Sequence, residues 1–170
     1  VEPEPEPEPE PGPGPGPGQW TLQLAEAADG SCPYETFLGD LDEYSFTVLD
    51  IAVRTFLARQ GHNVCDTEWG KSLGGGLYEF RVRRPLSTLC NLAGIDVPAG
   101  LDADRKILLR VFFAVEGDRI VLLLGGYDKG DDPSDRRQNK EIKRARSLLT
   151  EHKEAQRRER SQARRQSRPR

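Results

Sequence analysis

In QWTLQLAEA, Gln19 to Ala27, the apolar residues Trp20, Leu22 and Leu24 alternate with polar neighbours, which predicts an opening strand. A turn at DGS follows, and Pro33 suits the first position of a helix with Ser31 or Cys32 near its cap. Two helices are predicted next. The second carries Phe46, Leu49, Val53, Phe56 and Leu57 at steps of three and four, which makes one apolar stripe, and Gly61 is its stop. From Leu77 the period becomes two: Tyr78, Phe80 and Val82 face one way, and Glu79, Arg81 and Arg83 the other. Pro85 to Lys106 reads as a long connection with a short apolar core of its own. ILLRVFFAV and RIVLLLGG then flank Glu116-Gly117-Asp118 as a hairpin, the most apolar part of the chain.

Asp131-Asp132-Pro133-Ser134-Asp135 combines cap residues, a proline and early acids, the chemistry of a helix N-terminus. That last helix packs through Ile142, Ala145, Leu148 and Leu149. Beyond His152 the apolar stripe ends and arginines accumulate, as a solvated helix extension or a loose basic tail. The expected architecture is α+β, in the order β-α-α-β-β-β-α: a small antiparallel sheet with an N-terminal helix pair and a C-terminal helix. The helices gather on one face and leave the other partly free.

The ends differ from this middle. Residues 1–18 alternate proline with glutamate and then with glycine, offering no apolar side chain to bury, and read as a disordered tail. The division is therefore a tail over residues 1–18, one domain over residues 19–150, and a basic extension over residues 151–170. A net charge of −3 conceals an asymmetry: residues 1–70 carry 14 Asp/Glu against Arg54 and Arg59, whereas residues 71–170 carry 14 against 23 Lys/Arg. A basic half joined to an acidic half suggests a phosphate-facing surface, although scattered solvated charge fits as well.

Cys32, Cys65 and Cys90 are odd in number and lack C-x-x-C spacing, which argues against a disulfide framework or a zinc knuckle and fits a reducing cytoplasm. No apolar run approaches the roughly 20 residues of a membrane span, and no leader opens the chain. With only His62 and His152 present, a histidine acid/base pair or a metal site is not expected, nor is any cofactor. Gly74 to Gly76 enter a strand rather than open a helix, and so read as a sharp turn and not a phosphate loop.

On the face left free, alternation places Arg81 and Arg83 beside Arg110 and the strand end Tyr127-Asp128-Lys129. Cations with one phenol suit an RNA phosphate and a stacked base. Gly125 and Gly126 would then permit a close backbone approach or a bend at the strand end, releasing three polar side chains at the rim. A plain exit loop whose Asp128 and Lys129 meet only water fits the same residues.

KSLGGGLYEFRVRR, followed by ILLRVFFAVEGDRIVLLLGGYDKGDDPSDRRQNKEIKRAR, resembles the RelE/HigB family of type II toxin–antitoxin toxins over roughly Trp20 to Leu149. The resemblance implies an endoribonuclease that cuts mRNA, on the ribosome or free of it, by attack of a ribose 2′-hydroxyl on the adjacent phosphate. It also implies a cognate antitoxin with a helix-turn-helix. On this basis Arg81, Arg83, Arg110 and Lys129 match phosphate-holding positions. Tyr127 lies near an aromatic or acid/base position, and Asp128 is the candidate to accept the 2′-hydroxyl proton, with Tyr127 or Lys129 near the leaving oxygen. Lys71, Arg84, Arg136, Arg137 and Lys140 are the expected further RNA contacts. The rim lacks the histidine common among HigB-type members, and the connection at Pro85 to Lys106 is long. Two alternatives share the fold: a ParE-like toxin that binds gyrase, and an inactive toxin-derived binding protein.

Overall fold

A computed structural model describes residues 18–169. The disordered-tail reading of residues 1–17 lies outside the described residues. The elements run β1 (Thr21–Leu24), α1 (Pro33–Gly39), α2 (Glu43–Ala52), a π turn at Val53–Leu57, α3 (Ala58–Gln60), a 3-10 segment at Gly61–Asp66, β2 (Gly70–Gly74), β3 (Leu77–Val82), α4 (Leu86–Ala93), β4 (Leu109–Glu116), β5 (Ile120–Asp128) and α5 (Asp135–Gln166). Local chemistry explains several ends. Pro33 opens α1. Asp42 caps α2 by accepting from the Ser45 N–H at 2.8 Å, and Ser134 caps α5 by accepting from the Arg137 N–H at 3.2 Å. Gly94, left-handed at φ +69°, ends α4.

The α+β class holds, but the sheet is not the small antiparallel one expected. It is five-stranded and mixed, in the order β1-β5-β4-β3-β2, with β1 parallel to β5 and the other pairs antiparallel. Strand β2 has no alternating apolar pattern to announce it. Its pairing with β3 comes from the sharp Gly74 to Gly76 turn, which the sequence did indicate. Among the expected stripe residues of the second helix, Leu49, Val53 and Leu57 are buried, but Phe46 is 45% exposed.

A second correction concerns the free face. Phe80, Val82, Val111, Phe113, Val121 and Leu123 pack one side of the sheet against Val48, Leu49, Ala52 and Leu57 and against Leu86 and Leu89 of α4. The opposite side is also covered. There α5 lays Ala145, Leu148 and Leu149 on Leu77, Phe112, Ala114, Leu122 and Leu124. Each buried Leu or Phe among them contributes about 1.5–3 kcal/mol, so an apolar second face would not remain bare. Arg146 fastens the helix by donating to the Gly74 and Leu73 carbonyls at 3.0 and 2.6 Å. The basic extension is helical: α5 passes without a break through position 150 to Gln166. Among the described residues no helix is long and apolar enough to cross a membrane.

Candidate nucleic-acid interface and active site

Three of the expected site residues share one rung of the sheet. Arg81 lies opposite Arg110, and Arg110 opposite Tyr127, on the face that α5 covers. A β-bulge in β5 makes this possible. Phe112 pairs with Gly125 but Phe113 with Leu123, so Leu124 is the extra residue and every position after it changes face. Gly125 takes the bulge conformation at φ +145°, which side-chain-bearing residues rarely adopt. Gly126 serves a different purpose. A Cβ there would sit 2.6 Å from both the Arg110 carbonyl oxygen and the Phe37 ring, so its hydrogen is what lets α1 close on β5. The two glycines therefore bend and admit, as expected, but they do not release three side chains at a rim.

Convergence of the rung does not make it a phosphate site. Glu79, two residues before Arg81 and on the same face, is fully buried, and Arg81 Nε donates to its Oε1 at 2.8 Å. Arg110 is only 5% exposed, with Nε 3.6 Å from the same oxygen, and its Nη1 donates to the Leu109 carbonyl at 3.2 Å. Burial pushes the Arg110 guanidinium below its usual range even beside that carboxylate. Tyr127 is 1% exposed, stacked on Phe112, with Arg137 5.5 Å above its ring. Burial, followed by the Glu79 charge, raises its phenol. The Tyr127 hydroxyl, Glu79 Oε2 and Arg110 Nε have no hydrogen-bond partner among the described residues. The phosphate-holding role of Arg81 and Arg110 and the rim role of Tyr127 are therefore corrected: two guanidiniums already share one buried carboxylate, and the phenol is enclosed.

The remaining expected residues divide by location. Arg83 and Arg84, just past β3, turn to Glu68: Arg83 donates to its carbonyl at 3.2 Å, and Arg84 grips its carboxylate with two bonds of 3.0 and 2.7 Å. Lys71 is exposed on the edge strand β2. None of these three joins the rung. Asp128 and Lys129 lie at the same end of the sheet as Arg83 but two strands away, because Val82, Leu109 and Asp128 form the rung next to that of Arg81, Arg110 and Tyr127. Asp128 Oδ1 accepts from the Gly130 N–H at 2.8 Å, and Lys129 Nζ donates to Gln138 Oε1 at 3.4 Å. Burial first, then the Asp131 charge, raises the Asp128 carboxyl above the usual carboxylate range.

Asp128 opens onto a cleft of about 900 Å³ between α1, the end of β5 and the first half of α5. Its origin is topological. Strand β1 stops at Leu24, opposite Leu123, and leaves that edge of β5 without a strand neighbour from Leu124 onward. Asp40 and Asp42 stand on one wall, and Arg137, Lys140, Lys143 and Arg144 on the other. Arg105, which the sequence reading did not single out, lines the cleft and donates to Asp42 at 2.6 Å. Ser45 and then Arg105 hold the Asp42 carboxyl down to about 2. Arg137 and Arg144 both reach Glu141, at 2.9 and 3.4 Å, while Arg136 and Lys140 are exposed. The cleft is therefore mixed in charge, and the cationic surface is the outer flank of α5. Glu79 was legible as a same-face neighbour of Arg81; Arg105 had no local signal, because 63 residues separate it from Asp42.

No family model, no curated protein and no solved structure matches this chain.

Proposed function

We propose that the chain acts on RNA as a toxin of the RelE/HigB kind, cleaving mRNA at the mouth of the cleft beside Asp128. The single observation that carries this reading is the cationic helix α5, which holds 12 Lys/Arg against 5 Asp/Glu along its whole length and sets Arg137, Lys140, Lys143 and Arg144 along the cleft in which the Asp128 carboxyl is held above its ordinary range. The polynucleotide backbone lies along Arg136, Lys140, Lys143 and Arg144. The 2′-oxygen attacks the neighbouring phosphorus as its proton passes to Asp128. The phosphorus–5′-oxygen bond breaks, and that oxygen takes a proton from Lys129, leaving a 2′,3′-cyclic phosphate and a 5′-hydroxyl. Cations aimed at the developing charge contribute on the order of 3 kcal/mol each. The site operates on mRNA at the ribosome, in the cytoplasm, and a cognate antitoxin of the helix-turn-helix kind restrains it.

A second reading is favoured by the pairing of Arg81 and Arg110 with Glu79 and the enclosure of Tyr127: an RNA-binding protein without cleavage. Inducing the chain in bacteria and mapping RNA 5′ ends separates the two. Discrete new 5′-hydroxyl ends with translation arrest support cleavage. RNA retention without new ends supports binding alone, and DNA damage without RNA ends would return the gyrase alternative.

A further inference from the structure

Past Gln156, whose side-chain amide donates to Glu116 at 3.0 Å, α5 leaves the body of the protein, and residues 157–169 are all exposed. At 1.5 Å per residue the overhang through Gln166 is about 15 Å long. It carries Arg157, Arg158, Arg160, Arg164 and Arg165 against Glu159 alone. Helical spacing sets Arg157, Arg160 and Arg164 on one stripe and Arg158 and Arg165 on another. Among the described residues none of these guanidiniums has a carboxylate partner. Like charges three and four residues apart along this helix destabilise it, and an anion lying along it relieves that repulsion.

The chain carries such an anion, attached at the same end of the sheet. Glu2, Glu4, Glu6, Glu8 and Glu10 stand in the segment that joins the described body at Gly18. A Cβ at Gly18 would meet the Arg119 guanidinium at 3.5 Å, and the Thr21 N–H donates to the Arg119 carbonyl at 2.8 Å. That is the β4–β5 turn, which Glu116 flanks where α5 departs. Seventeen residues reach up to about 50 Å, several times the length of the overhang. Proline at every second place leaves this segment few backbone donors, so charge is what its sequence offers.

We propose that the arginine overhang of α5 is a polyanion-binding surface occupied in the free protein by the chain's own Glu2–Glu10 segment, which RNA must displace. Tethering keeps the glutamates at millimolar effective concentration, and the contact weakens as salt shortens the Debye length to about 10 Å at 0.1 M. This regulation rests on the RNA reading; the contact itself does not.

The test compares the full chain with a full-length variant carrying Glu→Gln at positions 2, 4, 6, 8 and 10. Backbone amide and arginine side-chain NMR signals of residues 157–166 are expected to differ between the two at about 20 mM salt and to coincide at about 0.5 M. Binding of a single-stranded oligoribonucleotide at about 50 mM salt should tighten about tenfold in the variant, with a steeper dependence on log salt. Superimposable low-salt spectra overturn the contact whatever RNA does. A spectral difference with equal RNA affinity overturns the displacement by RNA. If neither protein binds RNA while the spectra differ, the RNA reading fails and the intramolecular contact stands.

Discussion

Tyr127 faces Arg110 across the β4–β5 ladder only because one extra residue, Leu124, is bulged out two positions before Gly126. In an unbroken strand Tyr127 would share a face with Leu123, on the α2 side. The bulge turns it onto Phe112 and under α5, where its hydroxyl is enclosed without a hydrogen-bond partner among the described residues.

Tyr127→Phe therefore removes an unsatisfied polar atom and keeps the ring. Stability measured by urea unfolding is expected to rise by up to about 1 kcal/mol, with RNA cleavage unchanged. A loss of stability together with loss of cleavage would show that the hydroxyl has a partner and a task.

Glu79 is the counter-charge for Arg81 and Arg110. Glu79→Ala leaves the buried Arg110 guanidinium, and the partly exposed one of Arg81, without it and should lower stability by about 3–5 kcal/mol. Glu79→Met combined with Arg110→Met replaces the pair with apolar volume and should recover most of that loss. Equal thermal midpoints for wild type and Glu79→Ala would mean that the ion pair carries no structural weight.

Gly126→Ala places a methyl 2.6 Å from the Arg110 carbonyl oxygen and the Phe37 ring. Overpacking of this kind costs about 1–3 kcal/mol, and the cost should fall when Phe37→Leu is added, which a double-mutant cycle measures.

Asp128 carries a carboxyl raised from 3.8 chiefly by burial, so the fold disfavours its ionised form. The stability this residue contributes is complete below the unfolded value of 3.8 and is lost as pH rises through the higher folded value. Asp128→Asn should thus unfold at a higher temperature than wild type near neutral pH, with the gap closing toward about pH 3. Its amide oxygen can still accept from the Gly130 N–H. If Asp128 takes the 2′-hydroxyl proton, cleavage falls by about 10²–10⁴-fold in the same variant; undiminished cleavage removes Asp128 from the chemistry.

Much of the architecture was legible because periodicity is a local property. Alternation in Tyr78, Phe80 and Val82, the apolar hairpin strands around Glu116-Gly117-Asp118, and the capped start of α5 each depend on neighbours a few residues away. The same alternation put Glu79 beside Arg81. Strand β2 and the parallel seating of β1 on β5 were not legible, since a short polar edge strand is defined by its partner's hydrogen-bonding groups and not by its own pattern. The cleft owes its existence to where β1 stops against β5, a comparison between segments about 100 residues apart.

By itself the amino-acid order determined the α+β class, the one apolar centre between two charged ends, and which side chains share a face of β3 and β4, because backbone geometry alone sets the period of an unbroken strand. Only the tertiary structure decided that α5 covers the second face, that a bulge brings Tyr127 to Arg110, and that Glu79 takes up Arg81 and Arg110. These outcomes depend on which distant surfaces exclude water together, and a charge pattern read along the chain cannot distinguish a guanidinium waiting for phosphate from one already held by a buried carboxylate.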